Sequence, residues 1–329
     1  MGLALEIKSV ELERQELAVS PEFRRVTTTV HLRGGGAEGL GEDVGYQPEL
    51  HDPFPVPEIA GRWTLGSFSD LLEGFRFFDV EFEDHAALDY RRWAWESAAL
   101  DLALTQAGTR LGDVVGREPR PVTYVVSTRV NKVWPVLELY PDARFKLDPD
   151  PDWSEETIDR LAAGGRVDTA DFKGVYRGSF GQPPNPQLYR RIAEAFPRAW
   201  LEDPGLDEAT DEVLRPHRDR VTWDAPIHSV ADAEALSFPP RCLNVKPSRF
   251  GSVRRLFEFY EWCEERGVAM YGGGQFELGI GRTQIQELAS LFHPDMPNDV
   301  APSEFNQPDL PRDVQPSPLP PPHAFGAKP

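Results

Sequence analysis

Two lysines and three acids stand at the ends of short apolar runs in the middle of this chain. Lys146 closes Ala143-Arg144-Phe145-Lys146, Asp171 follows Thr169-Ala170, and Glu202 follows Trp200-Leu201. Asp224 follows Thr222-Trp223, and Lys246 follows Asn244-Val245. The successive gaps are 25, 31, 22 and 22 residues, each long enough for one strand, one helix and two loops. Three carboxylates brought to one place make an all-oxygen site for a hard divalent cation, Mg²⁺ foremost and Mn²⁺ as the alternative. A lysine on either side of such a site supplies an acid and a base.

The elements needed to position them are legible. Strand starts are expected at Val122, Arg144, Arg166, Ala199, Val221, Arg241 and Val268, with a weak eighth near Asn298. Helical segments are expected over Ser154–Leu161, Gln187–Phe196, Val253–Arg266 and Thr283–Phe292. Seven or eight such units in one run favour a β/α barrel, whose strand ends share one mouth, over a doubly wound sheet. The first 118 or so residues differ. Leu3–Val10 and Arg24–Leu32 alternate as half-buried strands do, and Trp93–Leu104 reads as a helix. That is a small α+β unit. Residues 301–329 hold nine prolines, so the end of the chain is a free tail or an extended strap, not a helix or central strand.

Composition sets limits. Lys plus Arg is 35 against 54 for Asp plus Glu, a net charge of −19, which argues against nucleic-acid or anionic-membrane partners. No apolar run is long enough to cross a bilayer, and the N-terminus shows no signal-peptide pattern. Cys242 and Cys263 are too few for a disulfide framework and wrongly spaced for zinc, so buried thiols in a cytoplasmic protein are expected. Gly272-Gly273-Gly274 lacks the Lys-Ser/Thr of a phosphate loop.

Taken in order, the motifs resemble the enolase superfamily, in particular its muconate-lactonizing-enzyme subgroup. Arg144-Phe145-Lys146 resembles the subgroup's Lys-x-Lys, and Asp171-Phe172-Lys173-Gly174-Val175-Tyr176 its Asp-x-Asn-Gly-x-Trp. Glu202-Asp203-Pro204 resembles its Glu-x-Pro, and Asn244-Val245-Lys246-Pro247-Ser248-Arg249-Phe250-Gly251 its sixth-strand segment. Gly274–Gly281 resembles the seventh-strand segment, and Gly41–Tyr46 the Gly-Glu turn before a mobile specificity loop. The resemblance implies an α/β fold, a modified (β/α)7β TIM-type barrel with an N-terminal α+β capping domain. Residues 1–118 would be the cap, with a lid loop at 41–57. Residues 119–303 would be the barrel carrying the active site, and 304–329 a Pro-rich strap or tail.

The resemblance also implies roles. Asp171, Glu202 and Asp224 would hold Mg²⁺, with Asp168 as an alternative to Asp171. Lys146 and Lys246 would be acid/base residues on opposite faces of a small carboxylate substrate, abstracting its α-proton to give an enediolate. Arg144 keeps a cation beside Lys146 and, with burial, would lower its pKa. Lys173 stands where the subgroup carries asparagine. Glu277 would be a catalytic or polar pocket group, or else a salt-bridge partner at the barrel mouth, and Tyr46 and His51 would be lid contacts to substrate. The compact barrel leans toward an o-succinylbenzoate-synthase-like dehydratase. The subgroup also contains N-acylamino acid racemases, dipeptide epimerases and cycloisomerases, which remain alternatives. Asn298-Asp299-Val300 lacks the Asp-x-Asp by which the dipeptide epimerases resemble one another. A non-catalytic relative that binds metal or carboxylate is the alternative of another class. Homo-oligomerisation is left open.

Overall fold

Pro and Gly recur throughout the second half of the chain, and between them a parallel sheet forms strand by strand. A computed structural model describes residues 1–21, 23–52, 54–78, 86–176, 181–307, 309–310 and 312–327. In the N-terminal part, β1 (Ala4–Ile7) pairs with β5 (Gly61–Thr64). β2 (Ser9–Ala18), β3 (Arg24–Gly34) and β4 (Ala37–Asp43) form an antiparallel sheet in that order. The expected single strand Leu3–Val10 is therefore two, because β1 turns away to a different partner. β3 carries the β-branched run Val26-Thr27-Thr28-Thr29-Val30 and is buried at the centre.

α1 (Leu65–Glu73) follows, capped by Thr64 and Ser67, and then α2 (Ala86–Ala107). α2 is buried on nearly every side from Tyr90 to Leu104, because β4 lies on one side and the turn Pro247–Phe250 on another. Gly39 and Gly41 permit this approach. A Cβ on either would sit 2.3 Å from the Ala98 carbonyl oxygen or 2.0 Å from that of Ala94.

After α3 (Leu111–Val115) come seven parallel strands: β6 (Val126–Thr128), β7 (Phe145–Leu147), β8 (Val167–Asp171), β9 (Trp200–Glu202), β10 (Val221–Trp223), β11 (Cys242–Val245) and β12 (Ala269–Gly272). Each pairs with the next in sequence. The eighth position is a two-residue segment. Asn298 bridges to Tyr124 ahead of β6, and Asp299 to Gly273 after β12, which joins the two edges. Helices α4 (Val130–Leu139), α5 (Glu155–Gly164), α6 (Pro186–Ala195), α7 (Glu208–Leu214), α8 (Val230–Glu234), α9 (Val253–Arg266) and α10 (Ile280–Phe292) alternate with the strands. The fold is thus the (β/α) barrel with an α+β cap. Both cysteines are buried free thiols.

Cap and barrel are bolted together by buried charge. The Arg25 guanidinium, on β3, donates to the carbonyls of Val44, Gly45, Gln275 and Phe276. The Glu42 carboxylate, on β4, accepts the N–H groups of Leu278, Gly279 and Gly281 at the start of α10. The Pro-rich end opens with a 3-10 turn at Ser303–Asn306 and then runs as a strap where it is described; residues 308, 311, 328 and 329 lie outside the described residues. Leu319 pairs with Val122, and the N–H groups of Ala324 and Phe325 donate to Glu287. Gly326 donates to Asp101 of α2. Among the described residues no helix is long and apolar enough to cross a membrane.

Candidate functional site

The strand register lines up the acids. Asp171, the last residue of β8, lies opposite Glu202, the last residue of β9, and Glu202 opposite Thr222, two residues before Asp224. Asp171, Glu202, Asp203 and Asp224 are all fully buried. Lys146, in the middle of β7, is buried and reaches three carboxylates. Its Nζ bonds Glu202 Oε1, lies 3.3 Å from Asp171 Oδ2 and 3.7 Å from Asp299 Oδ2. Lys246, following β11, lies 2.9 Å from Asp224 Oδ2. Arg249, one turn later, lies 2.8 Å from Asp224 Oδ1, and the Tyr176 hydroxyl donates to Asp224 Oδ2 at 2.9 Å.

Glu202 is held from below. The hydroxyl of Tyr271, on β12, donates to Glu202 Oε2, and the Asn244 amide reaches the same oxygen at 3.4 Å. Asp203 turns through a left-handed backbone (φ 49°) so that its carboxylate accepts the N–H groups of Asp224 at 2.8 Å and Ala225 at 2.9 Å. Among the described residues, one group of three acids brings ligand oxygens within 4.8 Å of one another: Asp171, Glu202 and Asp203. The sequence reading placed Asp224 third and passed over Asp203, the x of Glu-x-Pro.

The charges are unbalanced. Burial, helped by Asp171 and Asp224 and opposed by Lys146, pushes the Glu202 carboxyl up to about 8. Burial, followed by Asp224 and Asp171, pushes Asp203 up to about 7. Asp171 is lowered to about 2, because Lys146 and Lys173 outweigh its burial. Asp224 is held well below the usual carboxylate range, with Arg249 and Lys246 outweighing its burial. Burial pulls Lys146 down, but Glu202, Asp171 and Asp299 more than reverse this and hold it well above the ordinary lysine value. That corrects the expectation of a lowered Lys146.

Arg144 takes no part in that balance. Its guanidinium bonds both oxygens of Asp168. Between Phe145 and Lys146 the neighbouring strand advances from Val167 to Thr169, leaving Asp168 as the extra residue of a bulge. Asp168 therefore meets Arg144, while Asp171 faces Glu202. Lys173 bonds Asp171 and lies 3.4 Å from Asp148. Glu277 is buried, 2.9 Å from Arg282, and accepts the Gln275 N–H, so it is a salt-bridge partner.

The lid residues divide. The Tyr46 hydroxyl meets the Gln275 amide at 3.1 Å, and its ring lies under Arg25. With its nitrogen toward Tyr46, the Gln275 amide accepts from Arg249 Nε at 2.9 Å and from the Tyr90 hydroxyl at 3.0 Å. Tyr46 is thus linked to the Asp224 end of the site. His51 is not: it is buried, and its ring bonds Thr28 Oγ1 and the Gly45 carbonyl, so it anchors the loop to the cap instead of facing a ligand. Residue 53 of that segment lies outside the described residues. Tyr271, Tyr176, Asp203 and Arg249 join the cluster without being expected there; Tyr176, Asp203 and Arg249 lie inside the motifs at the strand ends, and nothing in the local sequence singles out Tyr271.

The chain matches the family described as domain of unknown function DUF8230, its N-terminal model over residues 1–114 and its C-terminal model over 118–307. It is 35% identical to an o-succinylbenzoate synthase of Bacillus subtilis, over 80% of this chain and 70% of that one. It is 26% identical to an N-succinylamino acid racemase of Amycolatopsis, over 91% and 87%. A solved structure of a dipeptide epimerase from Methylococcus capsulatus, complexed with Mg and the dipeptide L-Arg-D-Lys, superposes with a TM-score of 0.68 at 20% identity, covering 94% of this chain and 93% of that one. The chain belongs to the DUF8230 family and is an enzyme related in sequence to an o-succinylbenzoate synthase, a lyase, and to a racemase, an isomerase, on the fold that solved members of the enolase superfamily share.

Proposed function

We propose that this enzyme removes the proton α to a carboxylate in a succinyl-bearing acid, as an o-succinylbenzoate-synthase-like dehydratase. The succinyl group is what the names of the synthase and racemase relatives share. Residues 1–118 act as the cap, with 41–57 as lid, 119–303 as the catalytic barrel and 304–329 as a strap.

The carboxylates fit a hard cation. They are oxygen donors only and fully buried, and burial, with neighbouring carboxylates adding to it, pushes Glu202 and Asp203 up. Asp171, Glu202 and Asp224 would hold Mg²⁺, with Mn²⁺ as alternative. Asp203 shapes the site from behind, since both its oxygens already accept backbone N–H groups. When bound, the divalent cation supplies Lewis-acid charge beside the substrate carboxylate.

The observation that carries the reading is the pair of buried lysines, each on its own carboxylates. Lys146 is on the second barrel strand and Lys246 follows the sixth, across the ring. Glu202 and Asp171 hold the Lys146 proton, and with their charge shared by a bound cation Lys146 would be free to act as base. In a dehydration the second lysine is a fixed cation facing the developing negative charge. In a racemisation it returns a proton to the opposite face. That second reading, racemisation of an N-succinylamino acid, is favoured by the racemase relative's coverage of nearly the whole chain.

The test runs both reactions with Mg²⁺. Formation of o-succinylbenzoate is followed by absorbance, and loss of the α-proton signal of N-succinylamino acids in D₂O by NMR. Lys146→Ala and Lys246→Ala should each lose about 10²- to 10⁴-fold. A wild-type chain that exchanges no α-proton and forms no o-succinylbenzoate would overturn the succinyl-acid reading in both its forms.

A further inference from the structure

Lys173 has no part in that chemistry, yet its surroundings are built around its charge. Its backbone sits at φ 50°, in the left-handed region that long side chains avoid and asparagine tolerates. From there the side chain folds back over the end of β8. The ammonium bonds Asp171 Oδ2, lies 3.4 Å from Asp148 Oδ1, and stands 5.1 Å from the centre of the Tyr176 ring. The backbone N–H of the same residue donates to Asp171 Oδ1 at 3.0 Å. Both oxygens of Asp171 are therefore engaged by one residue, one of them by a full positive charge. The asparagine of the subgroup pattern would bring no such charge.

We propose that Lys173 is a tethered counter-ion that competes with the divalent cation for Asp171, and that Asp148 receives its ammonium when the cation binds. The proposal rests on Asp171 being a metal ligand. An ion at about 2.1 Å from a carboxylate oxygen cannot share that oxygen with an ammonium, because like charges in a buried site repel strongly. Asp148 lies directly after β7, with its oxygen already within ion-pair reach of Lys173. Affinity for the divalent cation is then a difference: the ion gains Asp171, and Lys173 gives up one of its two carboxylates.

The experiment titrates Mn²⁺ into the metal-free full-length chain and reads free Mn²⁺ by electron paramagnetic resonance. Four proteins are compared: wild type, Lys173→Met, Lys173→Asn and Asp148→Asn. Lys173→Met keeps the stem and removes the charge; Lys173→Asn suits the left-handed backbone and guards against misfolding. Both should bind Mn²⁺ about tenfold more tightly or better, the scale on which one neighbouring charge moves a buried ionic equilibrium. Asp148→Asn should bind it more weakly, because the displaced ammonium has lost its second partner. Wild-type binding with no gain in either Lys173 variant overturns the proposal alone. Absence of binding in all four proteins overturns the metal reading of Asp171 as well.

Discussion

Replacing Tyr271 with phenylalanine isolates the support of Glu202. Tyr271 is fully buried inside the barrel, and its hydroxyl donates to Glu202 Oε2. Phenylalanine keeps the ring and its packing, so no cavity opens. Only one hydroxyl is lost. Glu202 Oε2 is then left with the Asn244 amide at 3.4 Å, a long bond, while Lys146 remains on Oε1. A hydrogen bond to a charged group contributes about 1.5–3 kcal/mol. Divalent-cation binding requires Glu202 as the charged carboxylate in its present orientation. The loss should therefore fall on cation affinity, by about 10- to 100-fold at 1.4 kcal/mol per factor of ten. Isothermal titration of the full-length protein with Mg²⁺ or Mn²⁺ measures it, and thermal melting of the metal-free protein serves as the control. A Tyr271→Phe protein whose cation affinity stays within about threefold of wild type would refute the idea that this hydroxyl holds Glu202 for the cation.

Two further perturbations probe the scaffold. Phe325, in the strap, is 1% exposed; Phe325→Ala should lower the unfolding free energy by about 3–5 kcal/mol, read as a shift in urea midpoint, and a loss under about 1 kcal/mol would show that the strap contributes little. His293 is buried, with its pKa lowered to about 4 chiefly by burial. A neutral buried histidine stabilises the fold fully above the unfolded value of about 6.5, and this contribution disappears as pH falls toward 4. Stability should drop by about 3 kcal/mol across that window. His293→Gln should flatten the slope; an identical slope in the variant would remove His293 as its source.

The barrel was legible because each strand is short, apolar and bounded. The expected starts at Arg144, Arg166, Ala199, Val221, Arg241 and Val268 fall within one residue of the observed strands. Val253–Arg266 is found to the residue, with Ser252 capping its start and Gly267, at φ 65°, closing its end in the left-handed conformation. What was not legible depends on pairing between strands. The eighth strand is reduced to Asn298 and Asp299, too short to carry a periodic signal. The pairing of Arg144 with Asp168 needs the bulge in β8, and a two-residue spacing in β7 says nothing about that. His51 looked available for a ligand because it lies in a loop, but its direction is set by Thr28, on a strand of the cap.

The site itself shows why spacing alone misassigned its electrostatics. A carboxylate's behaviour here depends on which neighbours the strand ends bring within a few ångströms, and most of those neighbours are distant in sequence: Lys146 and Tyr271 lie 56 and 69 residues from Glu202. Of the non-glycine residues with positive φ, Lys173, Asp203 and Phe276 lie just past the ends of β8, β9 and β12, at the same mouth. Such conformations cost about 1–3 kcal/mol each and persist only where the surroundings over-determine them. Asp203 shows what holds one in place, since its strained backbone turns a carboxylate onto the two N–H groups that position Asp224. Strain and uncompensated buried charge thus fall at one mouth, at the ends of strands whose remaining residues are apolar and closely packed. The stability lost there is offset by the packed barrel beneath and by the Arg25 and Glu42 contacts that fix the cap above. Those contacts hold Gln275 against Arg249, and through Arg249 the cap bears on Asp224, the acid shared by the metal reading and by Lys246.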